Sequence, residues 1–364
     1  MQLGVANVNS IRLLHIARGS LTELDTQVRL RRDLGFLDDT QALCSTIERL
    51  FAKLNAFIAY KPKSVKQTLC WNCGSPVSSS PHLSVYPMPI SFEFFPPKTD
   101  EQRDTLDKSV AKLLPLKPEY VSVTFGAGGS TLNYTHDTVV ALKREHALDV
   151  APHISCMGGT RAEIKSLLDN YIAAGITRLV ALRGDMPSGM AAFGEFHYAS
   201  DLVKFIRQQT GDHFHIEVAA YPEFHPQSES AEADLKHFKY KVDAGADAAI
   251  TQYFYTPDAY FRFVEDVRKL GVTVPIVAGV MPISNYSQLR RFSEMCGAEI
   301  PRWMAKRLHA FGDDADSIRE FGAEMVADLC YKLLAGGAPG IHFYTLNRSR
   351  ATIAICERLG LSAT

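Results

Sequence analysis

Glu93 draws attention first because it sits inside an apolar run, Ile90-Ser-Phe-Glu-Phe-Phe-Pro96. An ionised carboxylate among aromatic side chains is costly, so its pKa is expected to rise until it holds a proton near neutrality. Those are the properties of a general acid. The competing reading is a glutamate paired with a buried arginine for structure. Arg183-Gly184-Asp185 closes a second apolar run, Leu179-Val180-Ala181-Leu182. Its glycine permits close backbone approach to a ligand, and the flanking charges can clamp one. A solvated turn with a local ion pair fits the same residues. Val123-Thr124-Phe125-Gly126-Ala127-Gly128-Gly129-Ser130-Thr131 is glycine-rich, and its N–H groups suit a phosphate or a ring edge. It lacks the lysine of a P-loop, which argues against ATP.

His153, Tyr221, His225 and Gln252 lie at or just past the ends of further apolar runs. His213 and His215 share one strand with Glu217 and make no metal set, so no metal is expected. No serine or cysteine nucleophile sits in a recognisable elbow.

These residues need elements to hold them. Eight strand-like runs follow one another: Ile90–Phe95, Tyr120–Phe125, Ala151–Cys156, Arg178–Arg183, His215–Tyr221, Ala248–Phe254, Pro275–Val280 and Gly340–Leu346. The intervals suit a strand plus a crossover helix, except for a longer last one. Thr99-Asp-Glu-Gln102 and Thr160-Arg-Ala-Glu163 read as capping boxes. Thr256-Pro257 places a hydroxyl at an N-cap and proline at N1. Gly175, Gly245 and Gly271 are each expected to end a helix with positive φ. The pattern predicts an α/β chain folded as a (β/α)8 TIM barrel, with its active site at the carboxyl ends of the strands. An open doubly wound sheet is disfavoured, since no GxGxxG follows the first strand. The polar residues named above share that rim. Apolar strands, aromatic entries and few cations suit a flat aromatic cofactor and a flat aromatic substrate.

Composition agrees with a folded chain: 46% of the 364 residues are hydrophobic and 22% charged. A net charge of −1 offers no global attraction to nucleic acid or an anionic membrane. No apolar run approaches the ~18 residues of a spanning helix, and Met1–Ser10 has no signal-peptide pattern. Seven cysteines form no disulfide framework, so a cytoplasmic location is expected. Residues 1–61 read as a helical extension, with ten basic residues against six acidic over 1–66. Residues 62–89 read as a Pro/Ser-rich linker; Cys70 and Cys73 within it are half of a zinc knuckle, without a second pair. The barrel is expected to occupy 90–364.

The motifs ISFEFFPPK, YVSVTFGAGGS, APHISC, LVALRGD, AAYPEFHP, KVDAGADAAITQYF and HFYTLNR run in order from Ile90 to Arg348. Together they resemble the methylenetetrahydrofolate reductases of the bacterial type. The resemblance implies a flavoenzyme that takes electrons from NADH or NADPH onto FAD. It then reduces methylenetetrahydrofolate to methyltetrahydrofolate in a ping-pong reaction. It also implies a homo-oligomer with small-molecule substrates and, for the barrel, neither nucleic acid nor membrane as partner. By motif match Glu93 is the acid that assists opening of the folate imidazolidine ring, and Asp185 lies near flavin and pterin. FAD contacts carry over to Thr124, Phe125, Ala127, His153, Arg183, Gly184, Asp185, Ala199, Tyr221, His225, Ser228, Asp234, His237 and Lys241. Gln252, Gln288, Phe292 and Arg348 match substrate contacts.

The chain departs from the family pattern at Leu132-Asn133-Tyr134, where relatives carry charge, and at Tyr240, where a basic residue often stands. Fewer cations lower the expected retention of FAD. The chain ends soon after its last motif, so no regulatory domain and no inhibition by S-adenosylmethionine are expected. A related FAD barrel of the proline dehydrogenase kind is the second enzyme reading, and Gln252 with Arg348 argues against it. Separately, ARGSLTELDTQVRLRRDLGFL resembles part of the small four-helix-bundle proteins encoded within large-subunit ribosomal RNA genes. That makes an RNA-associated module fused to an inactive barrel a third reading.

Overall fold

The computed structural model describes residues 88–125, 132–156, 159–184 and 195–361, together with Thr46 and Leu50; of Leu132 and Asn133 only the backbone is described. The chain divides into two units, Met1–Tyr86 and Pro87–Thr364. Apart from Thr46, Leu50, Met88 and Pro89, the expected helical extension and linker therefore lie outside the described residues. So do Ala127 and Asp185.

Eight strands form a closed parallel barrel in chain order. They are β1 (Ile90–Phe94), β2 (Tyr120–Val123), β3 (Val150–Ser155), β4 (Arg178–Leu182), β5 (His215–Ala220), β6 (Ala248–Thr251), β7 (Ile276–Val280) and β8 (Ile341–Tyr344). Each expected strand run contains one of them, within a few residues. Closure is carried by β1 and β8, where Ser91 faces His342 and Glu93 faces Tyr344.

Alternation along each strand separates two environments. On β1, Ile90, Phe92 and Phe94 turn outward and join the large apolar layer beneath the helices. Ser91 and Glu93 turn inward. The inner apolar cluster is small: Tyr120, Ala151, Val180 and Ile250, with Leu182 and Tyr344 packed against it. The remaining interior mixes small or apolar positions, Ala219, Ala248, Val277 and Gly279, with the polar Ser91, Glu93, Ser122, His153, Glu217 and His342.

The helices of the outer ring are α1 (Asp100–Leu113), α2 (Leu132–His146), α3 (Arg161–Ala173), α4 (Ala199–Thr210), α5 (Ala231–Asp243), α6 (Pro257–Lys269), α7 (Tyr286–Cys296), α8 (Arg302–Ala310), α9 (Ala315–Ala335) and α10 (Ser349–Arg358). Three of them, α7 to α9, fill the long interval before β8. The box at Thr160 is complete, with Glu163 N donating to its hydroxyl at 3.2 Å and its own N–H donating to Glu163 Oε2 at 2.7 Å. At Thr99 the return bond shifts by one residue, because Gln102 Oε1 accepts from Lys98 N at 2.8 Å. Thr256 precedes Pro257 as expected, but its hydroxyl makes no capping bond. Gly175, Gly245 and Gly271 adopt φ of 71°, 113° and 83°. No described helix is long and apolar enough to cross a membrane.

Gly279 on β7 leaves room for Tyr344, whose hydroxyl donates to Thr251 O at 2.7 Å. A Cβ at Gly279 would meet that same carbonyl at 2.0 Å and the Tyr344 ring at 2.8 Å. Gly279→Ala should therefore destabilise the barrel by about 3 kcal/mol or more. Gly271→Ala meets no atom within 4 Å and bears only the positive-φ penalty, about 1–2 kcal/mol. Equal losses in chemical denaturation would refute the steric argument.

Candidate active site

Glu93 is the fourth residue of β1, and its side chain turns toward the barrel axis with 12% exposure. The aromatic surroundings expected from the sequence are not its own. Phe92 and Phe94 are on the opposite face of the strand, since neighbouring residues point to opposite sides. Glu93 instead meets two imidazoles. His153 Nε2 on β3 lies 3.5 Å from its Oε2, and His342 Nε2 on β8 lies 3.9 Å away. Both nitrogens are buried without a hydrogen-bond partner. Burial holds His153 below the ordinary imidazole pKa, against the opposing pull of Glu93. The interior arginine that a structural role for Glu93 would require is engaged elsewhere. Arg178 binds Glu119, Asp149 and Glu217 at 2.8, 3.1 and 3.2 Å.

The turn after β8 fixes the end of β1. Thr345 Oγ1 donates to Glu93 O at 2.6 Å. Asn347 accepts from Phe95 N at 2.8 Å and donates to Phe95 O at 2.9 Å. Leu346 and Asn347 both take positive φ to make this clamp. Sequence reasoning missed Ser91, His342, Tyr344, Thr345 and Asn347 as parts of the site. The available signal was the polar or aromatic character of alternate positions in ISFEF and HFYTLN.

The residues matched to the cofactor occupy the same end of the barrel across several strands. Thr124 follows β2 and accepts through its carbonyl from Thr135 Oγ1 at 3.0 Å, beside half-buried Phe125. Arg183 follows β4, where its guanidinium reaches Gln227 Oε1 and its carbonyl accepts from Ser155 Oγ at 3.1 Å. Gly184 has φ 81°. Ala199 begins α4 and is buried. Tyr221 meets His225 edge-on at 4.6 Å, and His225 N donates to Asp234 Oδ2 at 3.1 Å. Ser228 donates to the carbonyl of Ser230, the N-cap of α5.

Asp234, His237 and Lys241 share one face of α5. His237 stacks on Tyr198 at 5.4 Å. Lys241 Nζ donates to Ala219 O at 2.5 Å, and burial, aided by Arg183 and opposed by Asp234, pushes its pKa down to about 8. Tyr134 and Tyr240, the two aromatic departures, are exposed.

The substrate-matched residues divide into two groups. Gln252 follows β6; its backbone N–H donates to Ala220 O at 2.7 Å and its Oε1 accepts from Tyr253 N at 2.9 Å. Gln288 and Arg348 line a cleft of about 470 Å³ with Asn285, Ser287 and Arg291. Phe292, one turn along α7, is half-buried beneath the Arg291 guanidinium. A larger cleft of about 620 Å³ between α4 and α5 contains none of the expected site residues. His213 and His215 belong to the start of β5, where His213 bonds the Ile176 carbonyl at 3.0 Å. Among the described residues no group of three His, Cys, Asp or Glu side chains is placed to hold a metal.

A family model described as methylenetetrahydrofolate reductase matches residues 82–360. The 5,10-methylenetetrahydrofolate reductase of Escherichia coli (strain K12) is 42% identical over 272 residues, covering 75% of this chain and 90% of the relative. That of Salmonella typhimurium is 41% identical with the same coverage. Methylenetetrahydrofolate reductase (NADH) 1 of Arabidopsis thaliana is 38% identical, covering 75% of this chain and 48% of the plant protein. An uncharacterized protein from Clostridium thermocellum, described as binding two copies of 5-methyl-5,6,7,8-tetrahydrofolic acid, superimposes with a TM-score of 0.52 at 18% identity. It covers 75% of this chain and 93% of that one, and it bears on the fold alone. The ribosomal-RNA-gene resemblance of the amino terminus lies outside the matched span. That span includes all eight strands and every strand-end residue named above, and the chain belongs to the methylenetetrahydrofolate reductase family.

Proposed function

We propose that the protein reduces 5,10-methylenetetrahydrofolate to 5-methyltetrahydrofolate by a ping-pong reaction, with FAD as resident cofactor and NADH or NADPH as donor. The observation that carries this reading is Glu93, inward-facing at the reactive end of β1, beside two buried imidazole nitrogens and, among the described residues, paired with no arginine. Bound flavin supplies hydride transfer in both directions. The residues present suit such a group. Arg183 and Lys241 offer cations for a pyrophosphate, and the unpartnered His153 Nε2 offers a polar atom for a ring edge.

Glu93 Oε2 holds the proton that the folate nitrogen takes as the imidazolidine ring opens. Asp185 lends a carboxylate to the cationic substrate form. Gln252, Gln288, Phe292 and Arg348 orient the substrate. Residues 90–364 are the catalytic unit in this reading, and the helical extension 1–61 and linker 62–89 supply no reacting group. The proline dehydrogenase-like alternative predicts bleaching of the flavin by a donor but no re-oxidation by folate.

Glu93→Gln should retain FAD and its reduction by nicotinamide while losing about 10²–10⁴ in the folate half-reaction. Anaerobic stopped-flow absorbance measures both halves, and normal folate turnover in this variant would remove Glu93 from the acid role. Asp185→Asn should slow the folate half more than the nicotinamide half; equal slowing would make Asp185 a flavin-binding residue instead. Lys241 loses its charge as pH rises through about 8, so its attraction for the pyrophosphate is present below that pH and lost above it. FAD titrations should therefore show weakening affinity across that range, and Lys241→Met should abolish the trend. A pH dependence that survives the substitution would assign it to another group.

A further inference from the structure

The clefts described above differ in charge. The one between α4 and α5 sets Lys204 and Arg207 against Asp201 and Asp243, and Arg207 is bound to Asp247 besides. The one of about 470 Å³ is lined by Asn285, Ser287, Gln288, Arg291 and Arg348, two cations and no acid. Among the described residues neither of its arginines has a carboxylate partner, although their neighbours do. Arg290 pairs with Glu294 at 3.4 Å, and Arg350 reaches Asp316 on α9 at 3.9 Å. The whole chain has a net charge of −1, so this concentration is local. Cations gathered in a cleft without counter-charge attract an anionic ligand.

The cleft lies at the reactive end of the barrel. Arg348 follows Asn347, whose side chain clamps the backbone of Phe95, two residues beyond Glu93. Asn285 Oδ1 accepts from Gln288 N at 2.7 Å and so starts α7, the helix that carries Gln288, Arg291 and Phe292. The Arg291 guanidinium stands over the Phe292 ring, 5.8 Å from its centre. A guanidinium held over a ring keeps its N–H edge for a carboxylate, which its parallel donors match in a fork.

We propose that this cleft takes the γ-glutamyl tail of the folate, and that Arg291 selects substrates carrying more than one glutamate. The proposal rests on the folate reading, in which Gln288, Phe292 and Arg348 orient the substrate. Arg348 then meets the α-carboxylate of the first glutamate. Each further γ-linked glutamate adds one net carboxylate to the tail, and Arg291 is the unpaired cation that receives it. The cleft has room for more than one amino-acid residue, and both arginines are exposed, so a longer tail runs on into solvent. The phosphates of the nicotinamide donor are the competing anions in this enzyme.

The test follows anaerobic re-oxidation of the flavin in the FAD-loaded full chain by methylenetetrahydrofolate carrying one, two or three glutamates. Arg291 is exposed, so its contact is that of a solvated ion pair. The second glutamate should therefore lower the half-saturating concentration about threefold to fivefold, and less as salt is raised. Arg291→Gln should remove that gain through KM, with the rate at saturation held. Arg290→Gln alters a cation already paired with Glu294 and should keep the gain. A wild type that does not distinguish tail lengths would overturn the proposal. So would an Arg291→Gln that weakens one- and two-glutamate substrates equally, or an Arg290→Gln that erases the gain as fully. Slower flavin reduction by NADH or NADPH in Arg291→Gln would assign the cleft to the donor's phosphates instead. A flavin that no folate re-oxidises would refute the proposed reaction together with the tail site. Folate turnover that is blind to tail length would refute the tail site alone.

Discussion

A closed parallel barrel gives every strand two faces and no edge, and that constraint organises everything else in this protein. The outward face meets helices and is apolar throughout, from Phe92 and Phe94 on β1 to Ile341 and Phe343 on β8. The inward face meets only other inward faces. Any polar group placed there must find its partner within the same narrow column, because buried polar atoms left unpaired are costly. Ser91 with His342, and Tyr120 with Glu217 and Arg178, satisfy that requirement across five different strands. The exceptions are informative. The unpartnered Nε2 atoms of His153 and His342 flank Glu93, and the third such atom, Ser122 Oγ, belongs to its register partner on β2, at the end of the column where a reacting group must be left available.

The same column explains why the reactive end is well held. Thr345 and Asn347 bind the backbone of β1 from the turn after β8, on either side of the position that carries Glu93. Tyr344 is wedged against the β6 backbone through the space left by Gly279. Rigid strands therefore support the acid, while the cations of the rim, Arg183 and Lys241, come from a strand-end turn and an outer helix. Arg178, the other cation near the axis, is held by carboxylates from β5 and from the residues just before β2 and β3. Positive charge is thus neutralised deep in the barrel.

Much of the architecture was legible in the chain because its signals are local. Strand runs are short and apolar, and Thr160 with Glu163 makes its cap from residues three apart. Gly175, Gly245 and Gly271 end helices for a reason that needs only one residue's backbone. Where a local signal was misread, a longer-range choice intervened. Thr256 has the right type for a cap but no capping bond, and the carboxamide of Gln102 turns to Lys98 N. The family motifs located the strand-end residues, since matching motifs carry positions without needing contacts.

Sequence by itself determined the eight-fold alternation of strand and helix, the strand ends that bear Glu93, His153, Arg183 and Gln252, and membership of a reductase family. It determined them because periodicity, capping and motif order are properties of neighbours along the chain. Tertiary structure alone decided what Glu93 touches. Its sequence neighbours are phenylalanines, but the pleat turns them away, and barrel closure brings His342 from 249 residues downstream. The environment of an inward side chain is set by strand register around the barrel, and register is a property of the closed sheet rather than of any one strand.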